Sequence, residues 1–223
     1  MFSPPAPAGP PSNNTAGLEK HLQKSAVDLY IPARSASIDA LSAHDEIAPK
    51  SRYRLADNQL VVAAGEDSAL PLDLTALTDP SVRQIAVVDP NHVMLGYLTY
   101  QSLTNSNFIP NHESKPLVEA DTSSATYIEP KLLQVGSEAE VVAAIKDGRA
   151  QLGITYSTYA VADKNIHILA PLTPGSYEPI TYFTAIPRNA PNYDEAWNFL
   201  NYLRSAQARA IMQRDGLLVG LGD

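Results

Sequence analysis

The stretch Ile85-Ala86-Val87-Val88-Asp89-Pro90-Asn91-His92-Val93 decides the fold. Four consecutive apolar residues, three of them β-branched, fit a strand covered on both faces. Asp89-Pro90 ends it, because proline supplies no ladder donor and aspartate favours turns. The spacing that follows predicts a helix from Val93 to Leu103. Strand, turn and helix in this order make the first two parts of a βαβ unit.

The same grammar extends in both directions. Downstream, Ser137-Glu138-Ala139-Glu140 is a capping-box pattern opening a helix through Ile145, and Gly148 fits its stop. Leu152 to Tyr156 reads as the next strand, followed by strands at Ile166 to Ala170 and Ile180 to Ile186. Between them, the polar stretch from Asn105 to Leu117 reads as a surface loop. Upstream, Val27 to Ile31 is a short strand ended by Pro32, and Leu60 to Ala64 another, preceded by the turn-prone Asp57-Asn58. Leu18 and Leu22 lie one turn apart on a short helix from Thr15 to Lys24, with Asn14 or Thr15 as N-cap. A last helix starts at Asn192, shows Trp197, Leu200, Leu203, Ala210 and Ile211 on one face, and ends before Gly216. Short apolar strands alternating with helices predict a parallel, doubly wound α/β architecture.

Composition removes several function classes. Sixteen basic against 24 acidic side chains give the 223 residues a formal charge of -8, which argues against nucleic acid or an anionic membrane as partner. With zero cysteines there is no disulfide framework, thiolate metal site or cysteine nucleophile. No apolar run reaches the ~18 residues of a membrane span. The proline-rich start Met1 to Pro11 lacks the basic and continuous apolar regions of a signal peptide.

No nucleophile elbow, zinc-binding His pair, P-loop or dinucleotide fingerprint occurs, so neither an enzyme nor a metal or cofactor site is expected. Asp89 and His92 sit three apart at a strand-to-helix junction, where a catalytic pair could stand. Turn capping explains them better. Binding has more support, because ligands of open α/β sheets sit where strands deliver their carboxyl ends and helices begin. Helix starts there offer unpaired N–H groups to an anion without any cationic side chain.

In combination, these blocks resemble the periplasmic molybdate-binding proteins of ABC transporters. The resemblance rests on Val27-Asp28-Leu29-Tyr30-Ile31-Pro32-Ala33, on Asn58 to Ala64, and on Asp89-Pro90-Asn91-His92-Val93 with Gly96-Tyr97. It continues through Gly148 to Tyr156, Pro179-Ile180-Thr181-Tyr182 and Asp215-Gly216-Leu217, so it spans about Ser12 to Leu218. It implies a two-lobed, type II periplasmic-binding-protein-like α/β fold with doubly wound sheets. Lobe 1 would be residues 1–62 plus 182–223, and lobe 2 residues 63–181. Against the family pattern, the first strand and helix of lobe 1, with one ligand-binding serine, have no counterpart in this sequence.

The implied function is to hold a tetrahedral oxyanion such as molybdate or tungstate between the lobes, using backbone N–H groups and hydroxyls and no cofactor. The implied partner is an ABC transporter permease, and the implied location periplasmic or secreted. By position, Tyr156 matches the family's ligand-binding tyrosine, and Asn14 or Thr15 a ligand-binding serine. Leu95 stands where the family has a small residue donating its N–H, after a His92-Val93-Met94 that lacks the family's proline. Glu138 falls near an apolar backbone donor, where a carboxylate would repel a dianion. A second reading stays open: a degenerate binding-protein fold without oxyanion transport, serving as an interaction or regulatory module, its sheet completed by strand exchange or a partner chain.

Overall fold

The computed structural model describes residues 27–110 and 127–220. In chain order these form α1 (Ser35–Ala43), β1 (Tyr53–Asn58), β2 (Leu60–Gly65), β3 (Ile85–Val88), α2 (Met94–Asn105), β4 (Leu132–Val135), α3 (Glu138–Lys146), β5 (Leu152–Tyr156), α4 (Ser157–Ala162), β6 (Ile166–Pro171), β7 (Ile180–Thr184), α5 (Tyr193–Leu203) and α6 (Ala206–Arg214). The described chain divides into two units, Leu60–Glu178 on one side and residues 27–59 with 179–220 on the other.

In the unit Leu60–Glu178, five strands form one sheet in the order β4-β3-β5-β2-β6. β3 lies between β4 and β5 and runs parallel to both. All four of its residues are fully buried, as the unbroken apolar run requires. The sheet is nevertheless mixed rather than parallel throughout, because β2 runs antiparallel to both β5 and β6. β5 and β6 thus run parallel to each other, and parallel strands need a crossover between them. The α4 crossover links β5 to β6, with β2 inserted between them.

Helices cover both faces. Ala86 and Gly153 are register partners on one face, where a Cβ on Gly153 would fall 2.6 Å from Val141 Cγ1 and 2.9 Å from Ile145 Cδ1. That glycine lets α3 lie close against the sheet. Val87 and Gln134 are partners on the other face, where Gln134 Nε2 donates to Tyr100 Oη of α2 at 2.9 Å. Neighbouring strands therefore send their helices to opposite faces, which opens a crevice at the sheet's carboxyl edge.

In the other unit, β1 and β7 pair antiparallel with a bulge between Arg54 and Ala56. Two small apolar clusters hold it. Tyr30, Ile38 and Ala185 form one, and Ala48, Ile186, Ala196 and Leu200 the other. The strand expected at Val27–Ile31 is reduced to a single bridge between Tyr30 and Ala185. The long final helix expected from Asn192 is two helices, α5 and α6, parted at Arg204–Ser205. Ser205 Oγ accepts from Ala208 N–H at 3.2 Å and so starts a new helix instead of continuing the old one. The break turns Ala210 and Ile211 toward solvent rather than onto the shared apolar face. Asn192 occupies the N-cap position of α5, but its own N–H and Nδ2 donate to the Asp28 carboxylate at 2.7 and 3.1 Å. The helix expected at Thr15–Lys24, and most of the loop after Asn105, lie outside the described residues. Among the described residues, no helix is long and apolar enough to cross a membrane.

Candidate ligand-binding site

The carboxyl edge of the five-stranded sheet gathers the chemistry. β3, β4 and β5 end there at Val88, Val135 and Tyr156, and α2, α3 and α4 begin from it. Leu60, the first residue of β2, is the register partner of Tyr156 and marks the same edge. Its N–H donates to Tyr177 Oη at 3.0 Å, and its carbonyl accepts from Leu172 N–H at 2.9 Å. Burial pushes the Tyr177 hydroxyl above its ordinary value, so it stays neutral at physiological pH.

At the β3–α2 junction, Asp89 builds the turn. Its carboxylate accepts from Asn91 N–H at 2.9 Å and Asn91 Nδ2 at 3.2 Å, and its Oδ2 lies 2.9 Å from His92 Nδ1. Burial pushes this carboxyl up, but the bonds from Asn91 and His92 outweigh it and leave it below the usual carboxylate value. Asp89 and His92 thus form a turn with an exposed imidazole. Val93 is the N-cap of α2, and its side chain makes no capping hydrogen bond. The N–H groups of Met94, Leu95 and Gly96 occupy the first turn, where no intrahelical acceptor exists. Leu95 is fully buried, so its bulk points into the core and only its backbone N–H belongs to the edge. Gly96 is required for the fit. A Cβ there would lie 2.5 Å from both the Val88 and Asp89 carbonyl oxygens.

The β4–α3 junction is arranged differently. Ser137 Oγ accepts from Glu140 N–H at 3.3 Å, closing the capping box. Glu140 reaches back so that Oε2 accepts from Gly136 N–H at 3.1 Å and Oε1 from Ser137 Oγ at 3.4 Å. Glu138, half-buried, is the first residue of the helix. An internal carboxylate therefore holds donors that an external anion would otherwise meet. Tyr156 is half-buried at the N-cap position of α4.

Leu95, Glu138 and Tyr156 thus start three helices along one sheet edge, whereas Asn14 and Thr15 lie outside the described residues. Sequence reasoning gave no role at this edge to Tyr177, and it read Glu140 only as part of a helix start. For Glu140 the signal was present, since the capping-box pattern already named it as the residue that folds back on the helix start.

A family model for bacterial extracellular solute-binding proteins matches residues 8–218. The chain belongs to that family. This solute-binding protein is 27% identical over 199 residues to the molybdate-binding protein ModA of Escherichia coli, covering 86% of this chain and 70% of the relative. Among solved structures it resembles a substrate-binding domain assigned to a molybdenum ABC transporter from Clostridium difficile, with TM-score 0.78 and 22% identity, over 93% of this chain and 84% of the other. The Azotobacter vinelandii periplasmic molybdate-binding protein matches with TM-score 0.62 and 18% identity, over 92% and 84% of the two chains. The fold of this solute-binding protein is that of the type II periplasmic binding proteins, and its relatives bind solutes rather than catalyse reactions.

Proposed function

We propose that this protein captures a tetrahedral oxyanion at the carboxyl edge of the five-stranded sheet and delivers it to an ABC transporter permease on the outer side of a membrane. Molybdate and tungstate are the first candidates, since the relatives are named for molybdate. The observation that carries the reading is the uncapped start of α2 beside the starts of α3 and α4, with Tyr156 between strand and helix. Unpaired N–H groups at a helix start carry about half a positive charge, which suits an anion held without cationic side chains. Leu95, fully buried, leaves that start unobstructed. Tyr156 adds a hydroxyl donor, which binds an oxyanion without the desolvation cost of a buried charge.

Thermal unfolding with molybdate, tungstate and sulfate tests the reading. A ligand at 100 times its Kd stabilises the folded state by about 2.7 kcal/mol, so a selective rise in Tm is expected. Tyr156→Phe should reduce that rise, measured against the variant's own ligand-free Tm. The absence of a shift with any oxyanion at millimolar concentration overturns the proposal.

A further inference from the structure

Tyr177 brings a hydroxyl to the same sheet edge as Tyr156. Its Oη accepts from Leu60 N–H at 3.0 Å, taking the place that a backbone carbonyl fills inside a sheet. Among the described residues this is the one hydrogen bond the hydroxyl makes, so its own proton meets no acceptor. Burial keeps the phenol protonated, yet the residue is only half-buried and stays within reach of a solute.

Its position and rigidity follow from the neighbours. Leu60 is the register partner of Tyr156, so Tyr177 Oη stands within about 10 Å of the Tyr156 Cα. Side chains alternate along β5, so Tyr156 shares the face of Leu152, whose partner Ile85 stands with Val87 on the side that α2 covers. Tyr177 is held from that side too. Ser176 Oγ lies 2.6 Å from Ser102 Oγ, and Asn105 Nδ2 donates to the Ser176 carbonyl at 2.9 Å. Glu178 N–H donates to Gln101 Oε1 at 2.8 Å. Both residues flanking Tyr177 are thus fixed to α2, so little conformational freedom is left to lose on meeting a ligand.

A phenol that accepts from an N–H and lacks an acceptor of its own is completed by a ligand that only accepts. We propose that Tyr177 is a second hydroxyl donor to the bound oxyanion, acting from the α2 face of the edge that carries Tyr156. This inference rests on the oxyanion reading and adds a specificity-determining residue to that site. A fully deprotonated oxyanion such as molybdate fits, since each of its oxygens accepts. The chain from Leu60 N–H through Oη to the anion is cooperative, each bond polarising the next.

Isothermal titration with molybdate compares the unchanged chain, Tyr177→Phe, and the chain with 3-fluorotyrosine in place of Tyr177, at about pH 6, well below phenol ionisation. Loss of one donor to a charged ligand should weaken binding about 10- to 100-fold in Tyr177→Phe. That variant also strips Leu60 N–H of its acceptor, so its ligand-free Tm falls whether Tyr177 is a donor or only a support. Fluorine separates the two. It withdraws electrons, making the hydroxyl a better donor to the anion and a poorer acceptor for Leu60. The fluorinated chain should therefore bind molybdate more tightly while its ligand-free Tm falls, and this arm stands even where Tyr177→Phe does not fold. A role confined to holding Leu60 gives weaker binding on fluorination, and that result overturns the donor role. So does an unchanged affinity in Tyr177→Phe, which leaves the oxyanion reading standing. Absence of molybdate, tungstate and sulfate binding to the unchanged chain overturns the oxyanion reading and the inference with it.

Discussion

Gly96→Ala is the sharpest test of how the α2 start is built. The added Cβ would lie 2.5 Å from the carbonyl oxygens of Val88 and Asp89 and 2.6 Å from the Asp89 carbonyl carbon. Contacts below 3.0 Å essentially never occur, so the helix start must retreat by about 0.5 Å. All three atoms are backbone, and no side chain can rotate out of the way. The Asp89 carbonyl also accepts from His92 and Val93 N–H at 3.4 and 3.3 Å, so the turn moves with the helix. Overpacking of this kind costs about 1–3 kcal/mol. In a chain of this length each kcal/mol lowers Tm by about 2–4 °C, so a fall of roughly 2–12 °C is expected by circular dichroism. A shift of about 0.5 Å is also the limit at which a binding constellation keeps its geometry, so oxyanion affinity should fall together with Tm. Gly65→Ala is the control, since a Cβ there meets only Ile145 Cγ2 at 4.0 Å. If Gly96→Ala unfolds within ~1 °C of that control, the close approach does not constrain the α2 start and the reasoning fails.

Gly153→Ala places its Cβ against side-chain atoms of Val141 and Ile145, which can move. It should cost less than Gly96→Ala, and Val141→Ala in the same chain should recover part of the lost Tm. The Asp73, Asp79, Asp89 and Asp163 carboxyls all lie below the ordinary 3.8, held there chiefly by hydrogen bonds from Thr75, Ser81, Asn91 and Lys146 respectively. Depressed carboxyls contribute stability above their unfolded pKa and lose it as pH falls through the folded one. Tm should therefore hold from neutral pH to about 5 and decline below about 4, and a Tm that rises below pH 4 contradicts this. Glu138 and Glu140 also complement the α3 dipole by roughly 0.3–1 kcal/mol each. Glu138→Gln should accordingly lower the ligand-free Tm by about 1–4 °C, and a ligand-free Tm that rises refutes the dipole argument.

The strands legible in the sequence are those buried on both faces. Ile85–Val88 carries an unbroken apolar run, and Leu152–Tyr156 is buried at its first four positions, because helices cover both sides of the sheet there. β1 left no such trace. Tyr53-Arg54-Leu55-Ala56-Asp57-Asn58 mixes exposed and buried positions around a bulge, and its last two residues read as a turn. In the strand they are held instead by Thr181 Oγ1, which donates to Asp57 Oδ1 at 2.7 Å, and by the bridge from Asp57 to Leu218. β4 is a four-residue edge strand with one buried position, too short and too exposed to show a period. α1, Ser-Ala-Ser-Ile-Asp-Ala-Leu-Ser-Ala, offers the buried Ile38 and the half-buried Leu41 to its cluster. The α5–α6 break was hidden because the apolar spacing runs on through Ser205, and only the Ser205 cap reveals the interruption.

The site was legible as positions and not as chemistry. Residue order placed Leu95, Glu138 and Tyr156 at strand-to-helix junctions, and parallel pairing of β3 with β4 and β5 brings those junctions to one edge. Which way a side chain turns depends on packing that no local motif contains. Leu95 stands where the resemblance has a small residue, yet its side chain is fully buried, next to the Gly96 that lets α2 lie against the β3 carbonyls. Glu138 drew attention as the repulsive residue, whereas Glu140 is the carboxylate that takes donors at this edge. The Glu140 contacts follow from one physical fact: an uncompensated helix start attracts negative charge from wherever it is available. Along α3 the chain supplies that charge itself. At α2 the N-cap residue Val93 supplies none, so an oxyanion bound as proposed has most to gain there.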